Sequence, residues 1–148
     1  MWKEVTMKVT KEVTFDSAHM LSNYSGKCHN LHGHTYKLQV TVEGPVVTEG
    51  NEEGMVTDFN NLKRVIDSVT ERFDHAIIFS DDHLRGEAEN ALLEWARTYD
   101  MNYIILPDAK STSEYIALYI KAQIESAYSP TKRISVKVWE TPTSFAEV

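Results

Sequence analysis

The chain has 148 residues, enough for one domain with a substantial core and too few for two ordinary ones. Its 15 basic against 22 acidic residues give a formal net charge of −7, with no block of lysine or arginine to neutralise a run of phosphates, which speaks against a nucleic-acid partner. A lone cysteine cannot form an internal disulfide, the opening MWKEVTMKVTKEV lacks the apolar stretch of a signal peptide, and no apolar run could span a bilayer; the expectation is a cytoplasmic protein with no membrane partner.

In the first segment Val5, Met7, Val9, Val13 and Phe15 alternate with mostly polar residues, as a half-buried strand requires, and His19 keeps their parity. After the loop SNYSGKCHN a second strand begins. Its inward set from His32 is His34, Tyr36, Leu38, Val40 and Val42, because one face of a strand recurs every second residue. The polar loop GPVVTEGNEEG then leads to DFNNLKRVIDSVTERFD, where Phe59, Leu62, Val65, Ile66, Val69 and Phe73 recur at helical spacing behind Asp58 as N-cap. RGEAENALLEWARTY reads as a shorter helical piece, NYIILP as a brief strand, and STSEYIALYIKAQIESAY as a helix opened by a Ser111–Glu114 capping box. KRISVKVWE places Ile134, Val136, Val138 and Glu140 on one face, and TSFAEV reads as a last strand; there is no internal repeat, linker or low-complexity segment, so residues 1–148 read as one domain.

The stretch GKCHNLHGHTY, residues 26–36, holds the only cysteine and three of the six histidines. His-x-His on a strand aims both imidazoles to one side, and a histidine from a neighbouring strand completes a three-nitrogen face for a metal such as zinc. Three protein ligands with an open position describe a catalytic zinc, and four describe a structural one. Cys28 as fourth ligand, closing such a site, and histidines that serve as ordinary core or surface residues are both compatible with the spacing.

The motifs FDSAHML, CHNLHGH, GMVTDF, FDHAIIF, TSE and VWET, in this order over nearly the whole chain, resemble the 6-pyruvoyltetrahydropterin synthase family. The three residues between Cys28 and His32 resemble its 6-carboxytetrahydropterin synthase branch, since the pyruvoyl-forming enzymes of animals have a longer gap there. The resemblance implies an α+β T-fold, with a four-stranded antiparallel sheet and two helices on one side. It also implies homo-oligomers, usually hexamers, whose subunit sheets join into barrels with active sites between subunits.

For the site, the resemblance implies Zn2+ on His19, His32 and His34, catalysis by Cys28 with Asp74 and His75 as proton-transfer partners, an active-site role for Glu114, and a pterin-ring anchor in Glu140. The implied substrate is a pterin triphosphate, 7,8-dihydroneopterin triphosphate, whose hydroxylated side chain loses protons from carbon and is cleaved on a route to 7-deazaguanine nucleosides. Such chemistry suits these residue types: zinc polarises oxygen as a Lewis acid, a thiol beside a cation becomes a base near neutral pH, and an imidazole returns the proton. Bland roles stand beside these. Glu114 also fits a helix cap, Glu140 a salt bridge at a strand end, Asp74 a cap, and His75 a satisfied histidine. His29 and His83 read as solvated residues, with His29, Lys27 and Lys110 near enough to the motifs to meet phosphates. A pyruvoyl-forming triphosphate lyase and a non-catalytic zinc or pterin-binding module are the alternative functions.

Overall fold

The structure, a computed structural model, describes residues 5–148. Its centre is the long antiparallel pair of β1 (Thr6–His19) and β2 (His32–Pro45), in continuous register from Thr6 opposite Pro45 to His19 opposite His32. β5 (Arg133–Thr141) pairs antiparallel with the other edge of β2, and β6 (Ser144–Glu147) pairs antiparallel with β5. The two remaining strands, β3 (Ala76–Phe79) and β4 (Tyr103–Ile105), lie parallel to β1 and to β3 respectively. The sheet is therefore six-stranded and mixed, in the order β4-β3-β1-β2-β5-β6, and not the four-stranded antiparallel sheet expected.

The added strands are short and carry the near-continuous apolar character of strands covered on both faces, AIIF and YII; the second is the brief strand read in NYIILP, while alternation does not announce the first. A parallel pair also needs a crossover connection, and here it is a helix. Three helices of similar length are present: α1 (Phe59–Thr70), α2 (Glu87–Thr98) and α3 (Ser113–Glu125). α2 links β3 to β4 and corrects the expectation of two helices on one side. Ile78 and Ile104 join the main core, whereas their strand neighbours Ile77, Phe79 and Ile105 pack with Leu93 and Ala96 of α2. Successive strand residues point to opposite faces, so α2 covers the face opposite α1 and α3.

The main core is the expected one. Leu62, Ile66, Val69 and Phe73 from the α1 segment and Ile116, Ile120 and Ile124 from α3 close over Phe15, Tyr36, Leu38, Val40, Val42, Ile134, Val136 and Val138. Asp58 caps α1 as read, its carboxylate accepting from the N–H groups of Asn60 and Asn61. The outer end of β1 departs from the half-buried pattern: Val5 and Met7 are exposed, and burial becomes complete only at Phe15. Among the described residues no helix is long and apolar enough to cross a membrane.

Candidate metal centre and active site

The β1–β2 register builds the site. His19 stands directly opposite His32, and His34 stands opposite Ser17, so all three imidazoles project from one face at the end where β1 stops and β2 begins. Their ring centroids lie 4.6, 5.3 and 4.8 Å apart. The outer nitrogens of two of them are fixed: His19 Nδ1 is 2.5 Å from the Ser111 carbonyl oxygen, and His32 Nδ1 is 2.7 Å from that of Asn30. A carbonyl only accepts, so each Nδ1 carries the proton and each Nε2 keeps its lone pair, the arrangement of a metal-ligating histidine. The Nε2 atoms of His19, His32 and His34 are buried without a hydrogen-bond partner among the described residues. Together with a Glu140 oxygen they lie within 4.8 Å of one another and could hold a metal ion.

Glu140 enters this group from β5. Its Oε1 is 2.8 Å from His34 Nε2 and 3.5 Å from His19 Nε2, contacts that are not aligned as hydrogen bonds. The β5–β6 register shifts between Trp139 and Thr141, and a bulge of this kind re-aims a side chain. Burial pushes His34 toward its neutral form despite Glu140, and a neutral imidazole is the form that ligates. The residue read as a ring anchor thus sits among the three histidine nitrogens, and the structure offers a carboxylate where the spacing offered Cys28 as fourth donor.

Tyr36 continues the His32, His34 row into the core. Its ring stacks on Phe15 at 5.1 Å and meets His34 edge-on at 5.4 Å, yet its buried hydroxyl has no hydrogen-bond partner among the described residues. Burial, and then the charges of Glu140 and Cys28, push its phenol up. Cys28 itself lies half-buried in a 3-10 turn, Lys27–His29, outside the convergent group. The Leu21 N–H donates to its carbonyl at 2.9 Å, which ties that turn to the chain just beyond β1.

Asp74 and His75 are brought together, and neither belongs to the group of His19, His32, His34 and Glu140. His75 Nδ1 is 3.0 Å from Asp74 Oδ2, and the Asp16 N–H donates to Asp74 Oδ1 at 2.9 Å. That N–H first, and then His75, hold Asp74 below the usual carboxylate range. His75 adopts the left-handed backbone, φ 56°, rare for a residue with a side chain, and its own N–H is anchored on the Asp16 carbonyl at 2.7 Å. The exposed imidazole lines an open depression with Asp16, Ser17, Gly33, Thr35 and His34, so it shares a cavity with one of the three histidines. Glu114 lies exposed in the first turn of α3, nearest the Ser113 hydroxyl at 3.4 Å. The Ser111–Glu114 capping box does not form: Thr112 is the N-cap, and the Ser111 hydroxyl turns inward to the Met20 carbonyl at 3.3 Å. His29 and Lys27 are exposed as expected, His83 pairs with Asp81 at 3.2 Å, and Lys110 reaches the Ser22 carbonyl at 3.4 Å.

Behind His19 lies a buried polar network with no signal in the sequence. Glu89 of α2 is fully buried. It accepts from the Ser22 hydroxyl at 2.5 Å and the Ser80 N–H at 2.8 Å, while the Ser80 hydroxyl accepts from the Ser111 N–H at 3.0 Å. Ser111 is the residue whose carbonyl fixes His19, so α2 braces the support of that imidazole. Glu89→Ala leaves two buried donors unpaired and is expected to destabilise the fold by about 3 kcal/mol, a drop of roughly 6–12 °C in Tm for a chain of this size. Thermal unfolding checks this, and an unchanged Tm would show that water replaces the carboxylate without loss.

Fold and site together define an α+β protein with a three-histidine, one-carboxylate centre of metal-binding type. The family described as 6-pyruvoyl tetrahydropterin synthase matches residues 8–148. A 6-carboxy-5,6,7,8-tetrahydropterin synthase of Haemophilus influenzae is 36% identical over 141 residues, covering 95% of this chain and 96% of its own. The protein of the same name from Synechocystis is 36% identical over 140 residues, covering 93% and 89%. Among solved structures, the 6-pyruvoyl tetrahydropterin synthase of Plasmodium falciparum superposes with a TM-score of 0.72 at 26% identity over 97% of this chain and 96% of that one. The chain belongs to the 6-pyruvoyl tetrahydropterin synthase family.

Proposed function

We propose that the chain is a zinc-dependent lyase that converts 7,8-dihydroneopterin triphosphate to 6-carboxy-5,6,7,8-tetrahydropterin with release of acetaldehyde and triphosphate, in queuosine biosynthesis. The observation that carries this is the convergence of three buried, unpartnered Nε2 atoms on one strand face, two of them in histidines whose Nδ1 is held by a backbone carbonyl. Relatives of that name, and the three-residue gap between Cys28 and His32, favour the carboxy-forming reaction over the pyruvoyl-forming one. Zinc, when bound to His19, His32 and His34, polarises the oxygens of the substrate side chain as a Lewis acid. The chain's own groups divide the remaining work. Cys28 takes a proton from carbon, the His75 imidazole oriented by Asp74 returns one, Glu114 supports this transfer, and Glu140 binds the amino-pyrimidinone edge of the ring.

The 148 residues act in this reading as one T-fold domain whose sheets join into a barrel, as a cytoplasmic homohexamer. Two features support a site shared between subunits. His75 and Asp74 are exposed, His75 at an open depression that His34 also lines, and Met7, Met55 and Phe59 expose an apolar end beside β1. Sedimentation analysis tests the assembly, and a monomer at working concentration would sink it. Incubating the zinc-loaded protein with 7,8-dihydroneopterin triphosphate tests the reaction: acetaldehyde with a carboxypterin is expected. Triphosphate release with an intact side chain would assign the pyruvoyl-forming reaction, and no turnover a binding module.

The 2.8 Å contact to His34 favours a second role for Glu140, as a fourth metal ligand, and one variant separates the two. Glu140→Gln keeps the shape but removes the charge and turns one acceptor oxygen into a donor. As ring anchor it loses a charge-assisted hydrogen bond, so a non-reactive pterin should bind roughly 10- to 100-fold more weakly with zinc content unchanged. Zinc loss with pterin affinity intact would make Glu140 a ligand.

A further inference from the structure

The buried Tyr36 hydroxyl belongs to none of the roles above. Tyr36 is 0% exposed, and its ring is held between Phe15 and the edges of His34 and His19, the latter at 6.3 Å, so it has little freedom to seek another partner. The alternation of β2 puts it one step beyond His34 on the ligand face. On β5, Glu140 lies one residue past Trp139, which pairs with Lys37, so Tyr36 and Glu140 border the same end of the group. A buried hydroxyl left unpaired is costly, and a phenylalanine would fill the same ring-shaped space without that cost. The orphaned oxygen thus has the same character as the three orphaned Nε2 atoms beside it: a polar group whose partner is the molecule that occupies the site.

We propose that Tyr36 is a binding residue that donates its hydroxyl proton to an oxygen of the ligand held at the histidine centre, and so selects ligands that bring a hydroxyl or oxo group there. For the reaction proposed above, on which this assignment rests, that oxygen belongs to the hydroxylated side chain and not to the pterin ring. The ring is left to Glu140. Tyr36 therefore discriminates among side chains.

Tyr36→Phe tests this, with Co2+ loaded in place of zinc so that binding is read from the visible absorption spectrum without turnover. Three probes are titrated into parent and variant: neopterin, pterin lacking a side chain, and acetohydroxamate, a two-oxygen chelator that needs no ring site. The expected result is a threefold to tenfold weaker affinity, roughly one neutral hydrogen bond, for neopterin and acetohydroxamate, with side-chain-free pterin unaffected. Metal affinity by chelator competition should stay the same, and the Tm of the metal-free variant should be no lower than the parent's, because the deleted oxygen has no protein partner among the described residues. Equal affinities of parent and variant for neopterin and acetohydroxamate would overturn the proposal. So would uniform weakening of all three probes or a fall in Tm or metal affinity, since each marks a structural hydroxyl. If the parent takes acetohydroxamate but neither pterin, the pterin reading fails, and the acetohydroxamate comparison alone decides on Tyr36.

Discussion

His32→Ala and His34→Ala are each expected to lose bound metal and turnover together. Each removes one of three Nε2 donors that the β1–β2 pleat sets on one face, and alanine offers nothing in its place. Replacing an outer partner of a ligand weakens metal binding by about 10- to 100-fold, so deleting the ligand itself should exceed about 100-fold. The fold should survive, because both side chains sit at the open end of β2 and are only partly buried, whereas the core row starts at Tyr36. Metal analysis of the purified variants, with circular dichroism to confirm folding, is the measurement. Full zinc occupancy in both would remove the three-histidine assignment, and with it the basis for a metal-dependent lyase.

Those two histidines are also where the sequence is most legible. Strand periodicity is a local property, so the parity of His19 with Phe15 and of His32 with His34 and Tyr36 already places three imidazoles and the core row on one face, as the register does. Asp58 is equally local, its partners being two and three residues away. What the sequence does not show depends on distant backbone. The carbonyl that fixes the His19 tautomer belongs to Ser111, and nothing in STSE signals that its serine faces inward and not along the helix. The capping-box reading fails for that reason: the motif satisfies a local pattern while tertiary contacts claim the hydroxyl. Glu89 looks like one more surface acid in an acidic helix until the partners Ser22 and Ser80 are seen. β3 goes unread because a short apolar run covered on both faces lacks a period, whereas β4 is read as a brief strand in NYIILP but not as a member of the main sheet.

Cys28→Ala is expected to keep its zinc while turnover falls by about two to four orders of magnitude, the usual loss of a general acid or base. Geometry separates this from the closed-site alternative. The thiol is not part of the group of ligand atoms within 4.8 Å of one another, and the fourth donor there is Glu140. The turn that carries it is held by backbone bonds, Leu21 N–H to the Cys28 carbonyl at 2.9 Å and Asn30 N–H to that of Lys27 at 3.0 Å. Alanine at position 28 leaves these in place, so the variant should fold and present the histidines unchanged. If Cys28 is the base, its loss acts on the rate of proton removal from carbon, and kcat falls while affinity for a non-reactive pterin does not. Zinc analysis and steady-state kinetics on the same preparation read both quantities. Loss of zinc in step with activity would instead make Cys28 a ligand and the centre a structural one. Retention of both zinc and full turnover would pass the base to another residue, with Glu114 and the His75–Asp74 pair the groups to examine next.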